Sequence, residues 1–285
     1  MSNLLNAEFH RLIKNISFWT GTVFSVLWAV YNVMGEDFGN SPGIESFMFG
    51  NLFQILVLTG LTSALFIGEE YSCGAIRNKI STGHTRSCVY LTELSLCSGM
   101  MIFNTCICML TALVCSIIRG YGFNTERLVL IKVFVCCLFT SLVAAAVIVL
   151  FSLNLHTKVS GLIAAALVML MLTLMGNQLY QSLKQPEYRI NYLFDENGQT
   201  IGEDSVYKNE YYIGDGKRIV TEMLYILDPI AVSYYEGEMQ YDDEIYCERS
   251  KIVDKPFAKI PICSLAECVV LTGVGLFVFK RKDLK

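Results

Sequence analysis

Glu267 is an acidic residue inside a long apolar stretch, residues 260–279 of this 285-residue sequence. An ionised carboxylate at the centre of a membrane-spanning helix costs about 3 kcal/mol. Such a residue therefore lines a hydrated path, pairs with a polar neighbour or is neutral. We expect Glu267 to line a translocation path or to contact another helix. The alternative is a position near the membrane interface, where the cost is small.

A second group of charged residues lies between two apolar stretches, in residues 69–90. Gly74 and Gly83 bound the segment Ala75–Ser81, which predicts about two turns of helix with Arg77 and Lys79 exposed. A simple turn would need no loop of this length and charge, so we expect it to dock on another protein. The residues assigned to this contact are Glu70, Gly74, Ile76, Arg77, Lys79, Gly83 and Arg86.

Sequence motifs of catalytic and nucleotide-binding sites are absent. There is no G-x-x-x-x-G-K-[ST] phosphate loop, no H-E-x-x-H zinc motif and no G-x-S-x-G nucleophile motif. The three histidines lie in separate segments, and the eleven cysteines show no matched pairs with zinc-site spacing. We therefore expect no catalytic residue, metal site or cofactor in this chain.

The composition indicates a membrane protein. Hydrophobic residues make up 53% of the chain and charged residues 17%, whereas soluble domains carry about 25% charged residues. A bilayer core needs about 20 apolar residues per helix. The segments that meet this requirement are 16–34, 46–68, 94–118, 133–155, 159–183 and 260–279. The predicted fold is an all-α membrane protein with six transmembrane helices.

The distribution of basic residues predicts the orientation, because cytosolic loops are enriched in lysine and arginine. With the N-terminus inside, the inner segments hold Arg11, Lys14, Arg77, Lys79, Arg86, Lys158, Lys280, Arg281, Lys282 and Lys285. The two short outer loops hold Arg119, Arg127 and Lys132. Both termini are therefore expected in the cytosol.

The residues before the first apolar stretch have helical periodicity. Leu5, Phe9, Leu12 and Ile13 fall on one face, and Arg11 falls on another. This pattern predicts an amphipathic helix on the inner membrane surface, with Phe9, Arg11 and Leu12 as its contacts. An ordinary flanking helix without a further role is the alternative.

Residues 184–259 differ from the rest in being polar and acidic. The Asn197-Gly198 pair between two β-prone runs predicts a hairpin, and residues 214–216 predict a second one. Residues 220–227 predict a short helix that ends at Asp228-Pro229. We expect a small α+β extracellular domain here, between a membrane domain (1–183) and a last transmembrane helix with a basic cytosolic tail (260–285). It would either bind a partner or only stabilise the outer helix ends.

The charged loop resembles that of type-2 ABC exporter permeases. Their loop carries an acid, three residues, Gly-[Ser/Thr]-[Ile/Leu]-[Arg/Lys] and then Gly-x-[Ser/Thr]-Arg. This sequence has Glu70, residues 74–77 reading GAIR and residues 83–86 reading GHTR, with Ala75 in place of the usual hydroxyl residue. Residues 7–9 and 17–19, and the Leu227-Asp228-Pro229 run, are also similar to that family.

The resemblance implies a permease half in a bacterial cell membrane. Two copies would pair with two separate ATPase chains that bind ATP and magnesium, and the loop would be the coupling element that rests on the ATPase. The resemblance also implies a hydrophobic or amphipathic, peptide-like substrate, as for lantibiotic or phenol-soluble-modulin exporters and immunity permeases, and no nucleic-acid partner. The alternative is a non-transporting membrane sensor or assembly protein that binds a partner through its extracellular domain.

Overall fold

The structure is a computed structural model that describes residues 2–35, 43–155, 157–185, 187–194, 200–238 and 259–282. Its helices are α1 (Ser2–Lys14), α2 (Ile16–Gly35), α3 (Ile44–Phe49), α4 (Leu52–Ser72), α5 (Ala75–Ser81), α6 (Arg86–Ile118), α7 (Arg127–Asn154), α8 (Lys158–Leu183), α9 (Asp215–Ile226), α10 (Pro229–Glu238) and α11 (Lys259–Arg281). Its strands are β1 (Tyr188–Phe194) and β2 (Thr200–Lys208).

Among the described residues, six helical segments are long and apolar enough to cross a membrane, which confirms the predicted number of such segments. They are α2, α6, α7, α8, α11 and the segment Ile44–Ser72, which joins α3 and α4 across a break at Gly50 and Asn51. The boundaries predicted for the first, fifth and sixth spans lie within two residues of those observed, whereas α7, the fourth span, begins at Arg127 rather than at residue 133.

The third span begins two turns earlier than its apolar composition predicts. It starts at Arg86 rather than at residue 94, because Thr85 caps the helix by accepting a hydrogen bond from the backbone N–H of Cys88 (3.2 Å). The 33 residues of α6 extend about 50 Å at 1.5 Å per residue. The helix is therefore longer than the hydrocarbon core of about 30 Å, and its first turns bring Glu93 into the protein interior.

The centre of the bundle is α4, which packs against α2, α6, α7 and α8. Small side chains allow close approach in this core: Ala64 on α4 and Ala144 and Ala145 on α7 are fully buried. The last span, α11, packs against α7 and α6 at the edge of the bundle. The core is thus assembled from helices that are distant in sequence.

Two cations hold the C-terminal end of α11 against the bundle. Arg86 donates hydrogen bonds to the backbone oxygens of Lys280 (2.8 Å) and Lys282. The Lys282 ammonium donates to the backbone oxygens of Leu153 (2.9 Å) and Leu155 (2.7 Å), at the end of α7. The described end of α11 therefore lies at the same end of the bundle as α5 and the start of α6.

The described residues between 187 and 238 form one hairpin and two short helices. Strands β1 and β2 are antiparallel, which confirms the hairpin prediction, although its Asn197-Gly198 turn lies outside the described residues. The second hairpin prediction is wrong, because Gly214 precedes α9 and Asp215 and Gly216 form its first turn. The helix predicted over residues 220–227 thus begins earlier, at Asp215, and its first four residues, 215–218, are polar or glycine.

Helix α10 follows directly and was not predicted. Asp228 caps it by accepting hydrogen bonds from the backbone N–H groups of Ile230 (2.9 Å) and Ala231 (3.1 Å), and Pro229 occupies its first position. Ile230 and Ala231 are fully buried, and Ala231 lies against Gly176 of α8. This short helix therefore packs into the end of the bundle opposite α5.

Candidate functional site

The helix predicted between the two loop glycines is present. Helix α5 (Ala75–Ser81) is flanked by Gly74 with φ of 70° and Gly83 with φ of 95°, conformations that are strained for other residues. The Gly74 N–H donates to the backbone oxygen of Tyr71 (3.2 Å), and the His84 N–H donates to that of Lys79 (3.2 Å). Two tight turns therefore fix α5 between the ends of α4 and α6.

The two faces of α5 differ in their surroundings. Ile76 and Lys79, three residues apart, are buried against the bundle, with 1% and 7% of their surface exposed. Arg77, Asn78 and Ser81 are exposed on the other side. The prediction that Lys79 is exposed with Arg77 is wrong, because Lys79 lies on the face of the helix that meets α4 and α6.

The Lys79 ammonium contacts three buried carboxylates. Its Nζ atom lies 2.7 Å from Glu70 Oε2, 2.7 Å from Glu93 Oε1 and 3.1 Å from Glu8 Oε1. Arg11 adds a second cation, with Nη1 2.9 Å from Glu70 Oε1 and 3.6 Å from Glu8 Oε2. These five residues, the ion cluster, join α1, α4, α5 and α6.

The ion cluster holds three carboxylates and two cations. Burial opposes the charged form of Lys79, but the carboxylates of Glu93 and Glu70 outweigh this effect and raise the pKa of Lys79. Burial and the neighbouring Glu70 carboxylate raise the pKa of Glu8, against the opposing effect of Lys79. Glu93 Oε2 is buried without a hydrogen-bond partner among the described residues. The cluster thus has an excess of acid that its two cations leave uncompensated.

The acids of the ion cluster are of the type that bind divalent cations. One carboxylate oxygen from each of Glu8, Glu70 and Glu93 lies within 4.8 Å of the other two. However, the ammonium of Lys79 contacts all three carboxylates. The three carboxylates therefore bind the Lys79 ammonium, which α5 supplies.

A second polar contact lies beside the ion cluster. Glu69 of α4 accepts hydrogen bonds from the Asn15 amide and the Ser17 hydroxyl, and Lys158 lies 3.5 Å from its Oε1. These contacts join the α1–α2 junction and the start of α8 to the end of α4. The ion cluster and the contacts of Glu69 thus connect α5, through α4, with α1, α2, α6 and α8.

Of the other residues predicted to contact a partner or the membrane surface, some are exposed and some are packed inside the protein. Arg86 is half-buried and bonded to the end of α11, so it is not part of an exposed docking face. On α1, Leu12 is 4% exposed and Arg11 belongs to the ion cluster, so these two face the protein rather than the membrane surface. Phe9 is 50% exposed, as a membrane contact requires.

An apolar groove lies on the other side of α1. It has a volume of about 770 Å³ between α1, α2 and α6. Phe9 and Ile13 form one wall, Trp19 another, and Gly99 and Phe103 the floor. One face of α1 therefore belongs to the ion cluster, and another face lines this open groove.

Glu267 is half-buried on α11, and its role in a path or a helix contact stays a prediction. The Asp228 carboxylate lies close enough to repel it electrostatically. Burial raises the pKa of Asp228 to about 6, although the N–H groups of Ala231 and Ile230 act in the opposite direction.

Sequence reasoning missed Glu8 and Glu93 as site residues. Glu93 stands one residue before the apolar segment 94–118, and it falls on the same helix face as Tyr90 and Cys97, both of which are buried. Glu8 stands three residues before Arg11. The spacing of Glu93 from these apolar neighbours was the available signal that it points inward.

The sequence has no clear match among known proteins: no protein-family model matches this chain, and no curated protein is significantly similar to it. The assignment of a function therefore depends on the geometry of α5 and the ion cluster.

Proposed function

We propose that this chain is the permease subunit of an ATP-driven exporter and that α5 couples it to a separate cytosolic ATPase. One observation carries the proposal. A seven-residue helix lies between the second and third spans, with one face exposed and the other tied by Lys79 to three buried acids. This arrangement suits a docking surface on α5 through which a partner could displace the helices of the bundle.

The contacts of α5 support transmission of force. A partner that displaces α5 also displaces the Lys79 ammonium, and through it Glu70 on α4 and Glu93 on α6. Separating these charges inside the protein is unfavourable, because a buried carboxylate without its cation is strongly destabilising. The spans are therefore expected to follow α5 as one unit.

The side of the membrane is inferred from charge. Helix α5, the ion cluster and the described end of α11 lie at one end of the bundle. Of the short loops and termini, those assigned to this end are richer in lysine and arginine. By the positive-inside rule this end faces the cytosol of a bacterial cell, where an ATPase and its ATP and magnesium are available.

The substrate in this proposal is a hydrophobic or amphipathic peptide. Two copies of the chain would enclose the path, as the resemblance to type-2 ABC exporters implies. The exposed faces of α2 and α11 are apolar, and Glu267 lies half-buried beside the second of them. An acid on an otherwise apolar face suits a ligand that has both apolar and cationic groups.

The experiment is affinity purification of the full-length chain from detergent-solubilised membranes of its native cell. Proteins that carry a G-x-x-x-x-G-K-[ST] loop are then quantified in the eluate. We expect an ATPase with wild-type protein and at least a tenfold loss with Arg77→Glu, because Arg77 is exposed on α5. The matched control is Arg127→Glu, an exposed arginine at the opposite end of the bundle.

The possible results separate the two functions. Loss of the ATPase with Arg77→Glu but not with Arg127→Glu supports the permease. Wild-type protein that recovers no such ATPase contradicts it and favours a membrane sensor or assembly protein. Equal losses with both variants also contradict the assignment of α5 as the docking surface.

A further inference from the structure

Helix α9 has an exposed apolar stripe, although it is not a membrane span. Four of its apolar side chains, and one just after its end, are 47–62% exposed. They are Ile219, Val220, Met223 and Leu224, followed by Leu227 just after the helix. At 100° per residue these positions cover less than half of the helix circumference. None of the described residues covers this stripe.

The polar and aromatic side of α9 faces the protein instead. Tyr225 is buried and its ring stacks on Tyr180 of α8, with centroids 6.3 Å apart. The Arg218 guanidinium donates to the backbone oxygen of Leu183 (3.1 Å). Helix α9 is therefore attached to α8 through one side and presents its apolar stripe on another.

The position of α9 along α8 sets its depth in the membrane. The exposed residues of α8 are apolar up to Leu174 and Met175, and then change to Asn177, Gln178 and Gln181. Tyr180 is five residues beyond Met175, which is about 7.5 Å along the helix axis. The headgroup region on each side of the hydrocarbon core is about 5–7 Å thick. The Tyr225 end of α9, which rests on Tyr180, thus lies at the level of the lipid headgroups.

We propose that α9 is an interfacial helix that inserts its apolar stripe into the leaflet at the end of α8 remote from α5. The occupant of the stripe is phospholipid, because α9 lies at headgroup depth and adjoins the lipid-facing end of α8. Exposed Lys217 precedes the stripe, where an ammonium can contact lipid phosphate.

The test is photo-cross-linking of the full-length protein in vesicles of phosphatidylethanolamine and phosphatidylglycerol. p-Benzoylphenylalanine is placed at Met223 or Ile219 in the stripe, and at Thr221 on the opposite side of α9. Leu167, exposed in the middle of α8, is the positive control for lipid. Because Met223 and Ile219 are exposed, the probe should not disturb folding, and size-exclusion chromatography verifies this.

We expect at least fivefold more lipid adduct from Met223 and Ile219 than from Thr221, as measured by mass spectrometry. Adducts between two copies of the chain would overturn the proposal by making the stripe a dimer surface. Adducts with residues 239–258 of the same chain, or lipid yields at the stripe no higher than at Thr221, would also overturn it.

Discussion

Replacing Lys79 with methionine is expected to destabilise the protein more than any single change of the acids around it. Methionine keeps most of the apolar length of the side chain and removes the ammonium that contacts Glu8, Glu70 and Glu93. Arg11 is then the remaining cation of the ion cluster, against three carboxylates. The excess negative charge rises from one to two.

The size of the effect follows from the burial of these groups. Lys79, Glu70 and Glu93 are 7%, 0% and 0% exposed, and removal of one partner of a buried ion pair costs about 3–5 kcal/mol. A loss of about 4 kcal/mol lowers the ratio of folded to unfolded protein by roughly 1,000-fold. Lys79→Met should therefore lose about 3–5 kcal/mol of unfolding free energy.

Glu93→Gln is the matched control. The amide keeps an oxygen that accepts from Lys79, while its NH₂ group replaces the Oε2 atom that has no hydrogen-bond partner. The variant removes the excess negative charge, so its unfolding free energy should change by less than about 1 kcal/mol. Combined with Lys79→Met, it should restore about 1–3 kcal/mol, because contacting residues are energetically coupled.

The assay is reversible unfolding in mixed micelles of detergent and sodium dodecyl sulfate, followed by circular dichroism. The reasoning is refuted if Lys79→Met stays within about 1 kcal/mol of the wild type, since a buried unpaired carboxylate must cost more than this. It is also refuted if Glu93→Gln destabilises as much as Lys79→Met, since packing rather than charge would then dominate.

Three further predictions use the same unfolding assay. Gly275→Ala should lower the unfolding free energy by about 1–3 kcal/mol, because an added Cβ would overlap the Tyr90 hydroxyl. Its control, Gly273→Ala on the open side of α11, should be neutral or stabilising. Equal effects of the two variants would contradict this packing. Asp228 has a raised pKa of about 6 in the folded protein, against 3.8 when unfolded. Its protonation therefore stabilises the fold fully below pH 3.8, and this contribution of about 3 kcal/mol is lost as the pH rises through 6. Asp228→Asn should keep the cap of α10 and remove this pH dependence, and an unchanged pH profile would refute the assignment. Arg86→Gln should lower the unfolding free energy by about 1–3 kcal/mol, because the hydrogen bonds to the end of α11 are lost. The amount of ATPase recovered per folded molecule should not change. A selective loss of the ATPase would show that Arg86 contacts the partner directly and would contradict this prediction.

The sequence was sufficient to predict the spans and α5 for a simple physical reason. Apolar segments of about 20 residues have few alternatives to a membrane helix. Gly74 and Gly83, both at positive φ, end the neighbouring helices within a few residues of Ala75–Ser81. These are local properties, which a sequence expresses directly.

The burial of Lys79 was not predictable in the same way. Its partners come from three helices and stand at positions 8, 70 and 93, so no local window contains them. The start of α6 depended on the capping of Thr85 rather than on apolar composition. Likewise, Gly214 to Gly216 has the composition of a turn, but Asp215 and Gly216 begin α9, in which Arg218 bonds to the backbone oxygen of Leu183 on α8. In each case a capping or tertiary contact decided the structure.

The central claim is that α5 is the surface on which a cytosolic ATPase docks, and cross-linking from Asn78 tests it most directly. Asn78 is exposed on α5, and a photo-reactive residue there should leave the ion cluster intact. In intact cells we predict an adduct between Asn78 and a protein that carries a phosphate loop, with no such adduct from the same probe at Arg127. An Asn78 probe that forms no ATPase adduct, or an equal adduct from Arg127, would contradict the account.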